Sequence, residues 1–250
     1  MYKKEFNTHF VGQTRTDLPS CPSTNDFLKE LLKNDKLTNG QLVNTPHQTA
    51  GRGQLSNKWE SEKFKNLTFS VGLIDLDLPA VNQFQLNIIS SLAVVKTLID
   101  CFKIKACIKW PNDILINDKK VAGILIETNL KQKTIHSAIV GIGLNVNQSK
   151  FTTPHATSIL NKTGRPVELE SLLEMLCKNL EHYIFRKEDL NGLKKVYLSH
   201  LYQYQTIGEY IDGHGQFKGI ISDVNELGEL IVMKDTHSVK YQPKQIKFLL

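Results

Sequence analysis

The strongest constraint on the fold is an abrupt change of hydrophobic period in the middle of the chain. Over residues 81–102 apolar side chains recur at helical spacing, and this is the longest helical pattern in the sequence. Four strand patterns then follow in close succession, at 106–109, 114–116, 121–128 and 134–144. A long helix followed by a run of strands predicts an α+β fold.

Shorter patterns predict the other elements. Ser23 or Thr24 is expected to cap a helix, since Asp26 follows at the capping-box distance. Strands are predicted at 9–16, 41–45 and 67–73, and helices at 169–185 and 190–202. The stretch 208–250 contains three predicted hairpin turns, which indicates a small five-stranded barrel or sheet. We therefore expect a main domain over 1–204 and a small domain over 205–250.

Composition restricts the class of protein. Hydrophobic residues make up 40% of the chain and charged residues 22%, so disorder is excluded as the main state. The four cysteines form no C-x-x-C pair and no secretory signal opens the chain, which favours reduced thiols and a cytoplasmic location. No uninterrupted apolar run approaches 18 residues, so we expect no membrane-spanning helix.

A net charge of +6 and a pI of about 9.0 raise the question of nucleic-acid binding. The excess lies in residues 101–200, which carry +6, whereas 201–250 carry −1, and there is no basic arm. This distribution suits an anionic small-molecule site or an acidic partner at least as well as a nucleic acid.

Several common catalytic motifs are absent. The sequence has no Walker A loop, no complete dinucleotide fingerprint, no H-E-x-x-H and no G-x-S-x-G. The sequence therefore does not favour a P-loop nucleotidase, a dehydrogenase, a zinc-dependent enzyme or a serine hydrolase.

The polar stretch 46–66 is unusually long for a loop in a compact domain, which indicates a functional role. Gly51 and Gly53 allow close approach of the backbone to a ligand, and Arg52 between them suits a carboxylate or phosphate. Trp59 is a candidate to stack against a flat ligand. The plain alternative is an ordinary surface loop.

Two strand ends carry further candidate residues. Lys109, Asn112 and Asp113 lie within five residues in K-W-P-N-D, a combination that favours a site for phosphates and a metal ion. Gly123 in K-K-V-A-G-I-L-I-E-T predicts a bulge, close approach of a ligand, or tight packing. In V-G-I-G-L-N-V-N, residues 140–147, glycines and asparagines alternate with apolar residues, so one face is open to a flat ligand.

These segments, in this order, resemble the biotin protein ligases, or biotin–[acetyl-CoA-carboxylase] ligases. The matching motifs are STN, GRGQLSNKW, KWPND, KVAGILIE and GIGLN. The resemblance covers about residues 8–250. It implies a catalytic domain like that of class II aminoacyl-tRNA synthetases, a mixed sheet flanked by helices, followed by an SH3-like barrel.

The resemblance also implies a two-step ligase reaction. Biotin attacks the α-phosphate of ATP to give biotinyl-5′-AMP, and a lysine of a biotin carboxyl carrier protein then takes the biotin. ATP and biotin are the implied substrates, with Mg²⁺ bound to ATP near Asp113 and no protein-only metal site. Lys109 and Arg52 are the implied catalytic residues.

Site residues are implied for each ligand. Biotin contacts are expected from Ser23, Thr24, Asn25, Gln48, Arg52, Gly53, Gln54 and Lys109. ATP or adenylate contacts are expected from Arg52, Trp59, Asn112, Asp113 and Asn145. The 46–66 loop is expected to close over the adenylate.

Two alternatives stay open at this point. A lipoate or octanoate ligase or transferase of related fold is disfavoured by KWPND, and an RNA-binding or scaffold protein by the charge of 201–250. Repressor-type relatives begin with a DNA-binding domain, whereas this chain starts almost directly at the catalytic domain, so we expect a monofunctional ligase without specific DNA binding. A homodimer is compatible with the sequence.

Overall fold

The computed structural model describes residues 6–54, 57–187 and 189–249, and the structural statements below refer to these residues. Seven strands form the central sheet: β1 (Arg15–Asp17), β2 (Gln41–Asn44), β3 (Leu67–Pro79), β4 (Cys107–Lys109), β5 (Asp113–Ile116), β6 (Lys119–Lys131) and β7 (Thr134–Leu144). Their order is β1-β2-β3-β7-β6-β5-β4. The β1–β2 pair is parallel and the other described pairs are antiparallel, so the sheet is mixed.

Helices cover both faces of this sheet. They are α1 (Thr24–Lys33), α2 (Phe84–Phe102), α3 (Ile159–Thr163), α4 (Leu169–Phe185) and α5 (Leu190–Ser199). On one face, Leu28 of α1 packs with Val43 and Ile139 of the sheet. On the other face, α2, α4 and α5 join the main hydrophobic core. The predicted α+β class with a mixed sheet flanked by helices is confirmed.

Helix α2 is the central helix of the main core. Together with the short turn before it, the Ala80–Phe102 stretch is long and apolar enough, by length and composition alone, to cross a membrane. In this structure 67% of the most apolar window is buried inside the protein, as it is in the core helix of a globular fold.

The five strands predicted after residue 208 are also present. They are β8 (Ile207–Asp212), β9 (Gly215–Val224), β10 (Leu230–Lys234), β11 (His237–Tyr241) and β12 (Lys247–Phe248), in the order β11-β10-β9-β8-β12. Their apolar side chains belong to the same core cluster as α2. Buried Trp110 donates from Nε1 to the carbonyl of Gly228 at 2.9 Å, so the two sheets are also joined by a hydrogen bond.

The structure differs from the sequence prediction at the first strand. β1 spans three residues and not 9–16, because the amides of His9, Phe10 and Val11 all donate to the carboxylate of Glu181 on α4. Amides that bind a side chain in this way are not available to a strand ladder. α3 was not predicted; it has only five residues, capped by Ser158, and so carries little periodic signal. α5 ends at Ser199, three residues before the predicted end.

Candidate active site

The start of α1 places polar side chains on the face of the sheet that α1 covers. Ser23 caps the helix, because its Oγ accepts a hydrogen bond from the amide of Asp26 at 3.3 Å. The amide and hydroxyl of Thr24 both donate to Oε1 of Gln48, at 2.9 and 3.2 Å. The helix cap and the incoming 46–66 loop are therefore joined without any ligand.

Asn25 lies deeper, and its amide is fully oriented. Oδ1 accepts a hydrogen bond from Ser70 on β3 at 2.6 Å, and Nδ2 donates to Glu127 on β6 at 2.8 Å. An ionised carboxylate only accepts hydrogen bonds, so Glu127 fixes which end of the amide points to it. A Cβ at Gly141 would lie 2.3 Å from Oδ1, so this packing depends on the glycine. Sequence reasoning missed Ser70 and Glu127, which are 45 and 102 residues from Asn25 and reach it only through the sheet pairing.

Trp59 lies across a strip of sheet without side chains. Gly123 on β6 pairs in register with Gly143 on β7. A Cβ at Gly143 would approach the indole to 2.4 Å, and one at Gly123 to 3.1 Å. The face expected to be open to a flat ligand is covered at Gly143 and Gly123 by the indole of Trp59. That a ligand binds there stays a prediction. The indole Nε1 is buried and has no hydrogen-bond partner among the described residues.

Lys120 is the lysine that the structure brings to this strip. In the β5–β6 pairing the register shifts by one residue at Val121, a β-bulge. The bulge places the side chain of Lys120 on the face of Gly123, where its Nζ would contact a Cβ of that glycine at 3.2 Å. Nζ forms an ion pair with Asp113 at 2.6 Å and lies 5.7 Å from the Trp59 ring centroid.

Lys109 is placed differently from its sequence prediction. It pairs with Asp113 across β4 and β5, but its ammonium lies 5.3 Å from the centroid of the Phe248 ring on β12. Burial lowers the pKa of Lys109, while the negative charge of Asp113 opposes that change. The structure thus makes Lys109 a neighbour of the site, at the edge strand, and not part of the cavity wall.

The GRG segment folds as a short hairpin. The amide of Gly53 donates to the carbonyl of Asn57 at 2.7 Å, and Arg52 pairs with Lys58 in an isolated bridge. The Arg52 guanidinium is half-exposed and forms an ion pair with Asp26 of α1. Leu55 and Ser56 lie outside the described residues.

The two predicted asparagines beyond the loop hold backbone in place. Asn112 donates from Nδ2 to the carbonyl of Ile124 at 2.6 Å. Asn145 is buried and donates from Nδ2 to the carbonyl of Thr157 at 3.0 Å, while its Oδ1 has no partner among the described residues. Asn145 therefore keeps one oriented acceptor.

Ten of the twelve predicted site residues line one cavity of about 130 Å³; Lys109 and Asn145 do not. The ten are Ser23, Thr24, Asn25, Gln48, Arg52, Gly53, Gln54, Trp59, Asn112 and Asp113. The wall also contains the unpredicted Asn57, Lys58 and Lys120. Within 6–54, 57–187 and 189–249, no group of three or more His, Cys, Asp or Glu side chains is placed to hold a metal ion.

Comparison with known proteins agrees with this arrangement. Over 232 residues the chain is 30% identical to the bifunctional ligase/repressor BirA of Bacillus subtilis, covering 90% of this chain and 71% of that protein. It is 28% identical over 199 residues to the biotin–[acetyl-CoA-carboxylase] ligase of Mycobacterium tuberculosis, covering 76% and 72%.

A solved structure and a family model point the same way. The biotin protein ligase of Aquifex aeolicus in complex with biotin and ATP superposes with a TM-score of 0.79 at 25% identity, covering 95% of this chain and 99% of that one. Residues 18–145, which include α1, the GRG hairpin and strands β2–β7, match the model of the biotin/lipoate A/B protein ligase family. The chain belongs to the biotin/lipoate A/B protein ligase family.

Proposed function

We infer that this chain is a biotin protein ligase. It activates biotin with ATP to biotinyl-5′-AMP and transfers the biotin to a lysine of a biotin carboxyl carrier protein. The observation that carries this conclusion is one cavity with two unlike ends: a polar end at Ser23, Thr24, Asn25 and Gln48, and a flat glycine strip under Trp59. Relatives named as biotin ligases, and the relative solved with biotin and ATP, support it.

The polar end suits the ureido ring of biotin. That ring is neutral and presents both N–H donors and a carbonyl acceptor, which match the hydroxyl and amide groups found there. Thr24 and Gln48 are already hydrogen-bonded to each other, and Asn25 is fixed by Ser70 and Glu127. A site oriented in advance loses little entropy when it binds. Lipoate and octanoate offer no such ring, so they are disfavoured as substrates.

Lys120 is our candidate for the lysine that brings the two anions together. Biotin carboxylate and ATP phosphate repel each other, and a cation between them lowers the barrier to attack. Lys120 on β6 lines the cavity beside Trp59, whereas Lys109 lies two strands away on the edge strand β4. We therefore move the role predicted for Lys109 to Lys120. We propose that Arg52, which forms an ion pair with Asp26 in this structure, closes over the adenylate.

The surface that Trp59 forms over the glycine strip is proposed to take the nucleotide. Trp59 supplies a stacking wall for adenine. Asn145 lies outside the cavity wall, and its buried Oδ1, which has no partner among the described residues, is our candidate acceptor for the amino group of adenine. Mg²⁺ would enter with the triphosphate. Asp113 offers it a carboxylate oxygen, which is the ligand type that Mg²⁺ prefers.

The finer fold assignment also belongs to this proposal. We propose that the catalytic domain, residues 1–204, is built like that of class II aminoacyl-tRNA synthetases, and that 205–250 form an SH3-like barrel. The change from helix α5 to a separate five-stranded sheet supports this division. A cytoplasmic location is supported by four free cysteines. We further propose that the ligase binds no specific DNA.

The decisive experiment compares three acids in one assay. Purified protein with ATP and Mg²⁺ is tested for pyrophosphate exchange with biotin, lipoate and octanoate, and then for labelling of a biotin carboxyl carrier domain. We expect exchange with biotin alone and labelling of the carrier lysine. Exchange with lipoate or octanoate but not with biotin would replace this function by the related one.

A further inference from the structure

Glu60 follows Trp59 directly and is bound to a distant loop. Its carboxylate accepts hydrogen bonds from the amide and hydroxyl of Thr152, at 2.9 and 2.8 Å, and of Thr153, at 2.8 and 2.6 Å. Nε2 of Gln148 adds a contact at 3.3 Å. Both carboxylate oxygens are thus engaged by a segment about 90 residues away, 148–153.

Gln148 binds the stretch that follows Trp59 at two further points. Its Oε1 accepts hydrogen bonds from the amide of Glu62 at 2.9 Å and from Nδ2 of Asn66 at 2.6 Å. The exit half of the loop, 60–66, is therefore tied to 148–153 along its length. The hairpin before Trp59 has an internal hydrogen bond from Gly53 to Asn57, and it contacts α1 through the ion pair of Arg52 with Asp26. Trp59 lies between this hairpin, where its amide donates to the carbonyl of Gly51 at 3.0 Å, and the stretch 60–66.

The indole cannot hold its own position by hydrogen bonding, since its Nε1 has no partner among the described residues. Its contacts with Gly123 and Gly143 are apolar and therefore not directional. The direction of the side chain is then set by the backbone at residues 59 and 60. Of residues 59 and 60, Glu60 is the one whose side chain is charged and bound, through Thr152 and Thr153, to another segment.

We propose that Glu60 is a positioning residue, which holds Trp59 over the glycine strip before ATP binds and so forms the adenine wall in advance. This rests on the nucleotide role proposed for Trp59. Hydrogen bonds to an ionised carboxylate are about twice as strong as neutral ones, which suits an anchor made by one side chain. Burial alone would raise the pKa of the Glu60 carboxyl, but the bonds from Thr153 and Thr152 outweigh it and lower the pKa to about 2. The anchor is therefore ionised at neutral pH.

The test uses Glu60→Gln, with Glu62→Gln as the matched control. Glutamine keeps the size of the side chain but removes the charge and turns an NH₂ group toward the donors of the threonines. Glu62 lies two residues away, and its carboxylate makes no hydrogen bond or ion pair among the contacts described for this structure. We expect Glu60→Gln to raise KM for ATP about tenfold, as expected for loss of a charge-assisted contact. KM for biotin should stay within about twofold, and Glu62→Gln should resemble wild type.

A second readout needs no substrate. The chain has two tryptophans, and the other, Trp110, is buried. Acrylamide quenching of the ligand-free protein should therefore rise in Glu60→Gln, with Trp59→Phe giving the Trp110 baseline. Thr153→Ala should show a smaller change in the same direction. These results would support the anchor.

Two results would overturn it. One is Glu60→Gln with unchanged quenching and unchanged KM for ATP. The other is an equal rise of both KM values with loss of helical circular dichroism, which would mark Glu60 as a general structural residue. If wild-type protein forms no biotinyl-AMP, the proposed function fails, whereas the quenching comparison still tests whether Glu60 holds Trp59.

Discussion

Replacing Lys120 by glutamine tests the central assignment of the site. The substitution removes a positive charge from the cavity wall and leaves Asp113, its partner at 2.6 Å, without this counter-ion. Both changes should disfavour binding of the two anionic substrates. The cavity loses the positive charge of Lys120, and the negative charge of Asp113 is no longer balanced by it. The side chain is 35% exposed, so the ion pair itself contributes only about 0.2–1 kcal/mol to folding. The protein should stay folded while the chemistry suffers.

The magnitude follows from the transition state. Removing one preorganised group that stabilises developing charge costs roughly 3–4 kcal/mol, or about 10²–10³ in rate. We expect a loss of this size in adenylate formation by Lys120→Gln, and a smaller loss in transfer from supplied biotinyl-AMP. Lys109→Gln should cost less, about tenfold or below by the same argument, because its ammonium faces Phe248 and acts on the cavity only across Asp113.

Single-turnover adenylation separates these expectations, because it isolates the chemical step from product release. The double variant Lys120→Gln/Asp113→Asn adds an internal check. The deviation of the double variant from the sum of the two single variants measures the coupling between Lys120 and Asp113. Adenylation within about twofold of wild type in Lys120→Gln, or a larger loss in Lys109→Gln, would refute the reasoning.

Three further expectations concern stability. Ser23→Ala should lower the free energy of unfolding by about 1 kcal/mol in urea titrations, because α1 loses its cap. Trp110→Phe should lower it by roughly 1–3 kcal/mol, because the buried carbonyl of Gly228 loses its donor. Since the pKa of Glu60 falls from 4.5 to about 2 on folding, it stabilises the protein above about pH 4.5, and that contribution is lost as pH falls toward 2. Glu60→Gln should therefore show a smaller drop in urea midpoint between pH 5 and pH 3 than wild type does.

Local patterns in the sequence were sufficient for much of the fold. Helix α2, strand β7 and the cap at Ser23 are each set by residues close together in the chain, and each is found where the pattern predicts it. The first strand fails for the opposite reason. The amides of 9–11 are taken by Glu181, a carboxylate some 170 residues away that no local pattern reveals.

The sequence alone also could not decide which of two lysines, Lys109 or Lys120, lies in the site. Lys109 and Lys120 both stand at the end of an apolar strand next to a turn, and their local sequences do not separate them. Strict alternation would place Lys120 on the face opposite Gly123. The bulge at Val121 reverses that side-chain direction, and it becomes visible only when β5 and β6 are paired.

Strand β7 joins the two ends of the cavity, and its glycines allow them to be tested separately. Gly141 faces Asn25 and Gly143 faces Trp59; they are two residues apart on one face, a separation of about 6–7 Å. Neither has a positive φ, so alanine is compatible with both backbones. In Gly141→Ala the new Cβ would lie 2.3 Å from Oδ1 of Asn25, and in Gly143→Ala 2.4 Å from the indole.

The same methyl group on the same strand should therefore damage different substrates. Gly141→Ala forces Asn25 from its place beside Ser70, so KM for biotin should rise about tenfold, the ratio that 1.4 kcal/mol gives. Gly143→Ala lifts Trp59 from the strip, so KM for ATP should rise by a similar factor while biotin affinity is kept. Each variant is the control for the other, because both add one methyl group to β7 at equivalent positions. If both raised the two KM values equally, the cavity would not be divided along β7, and the assignment of biotin to the polar end and ATP to the Trp59 end would be wrong.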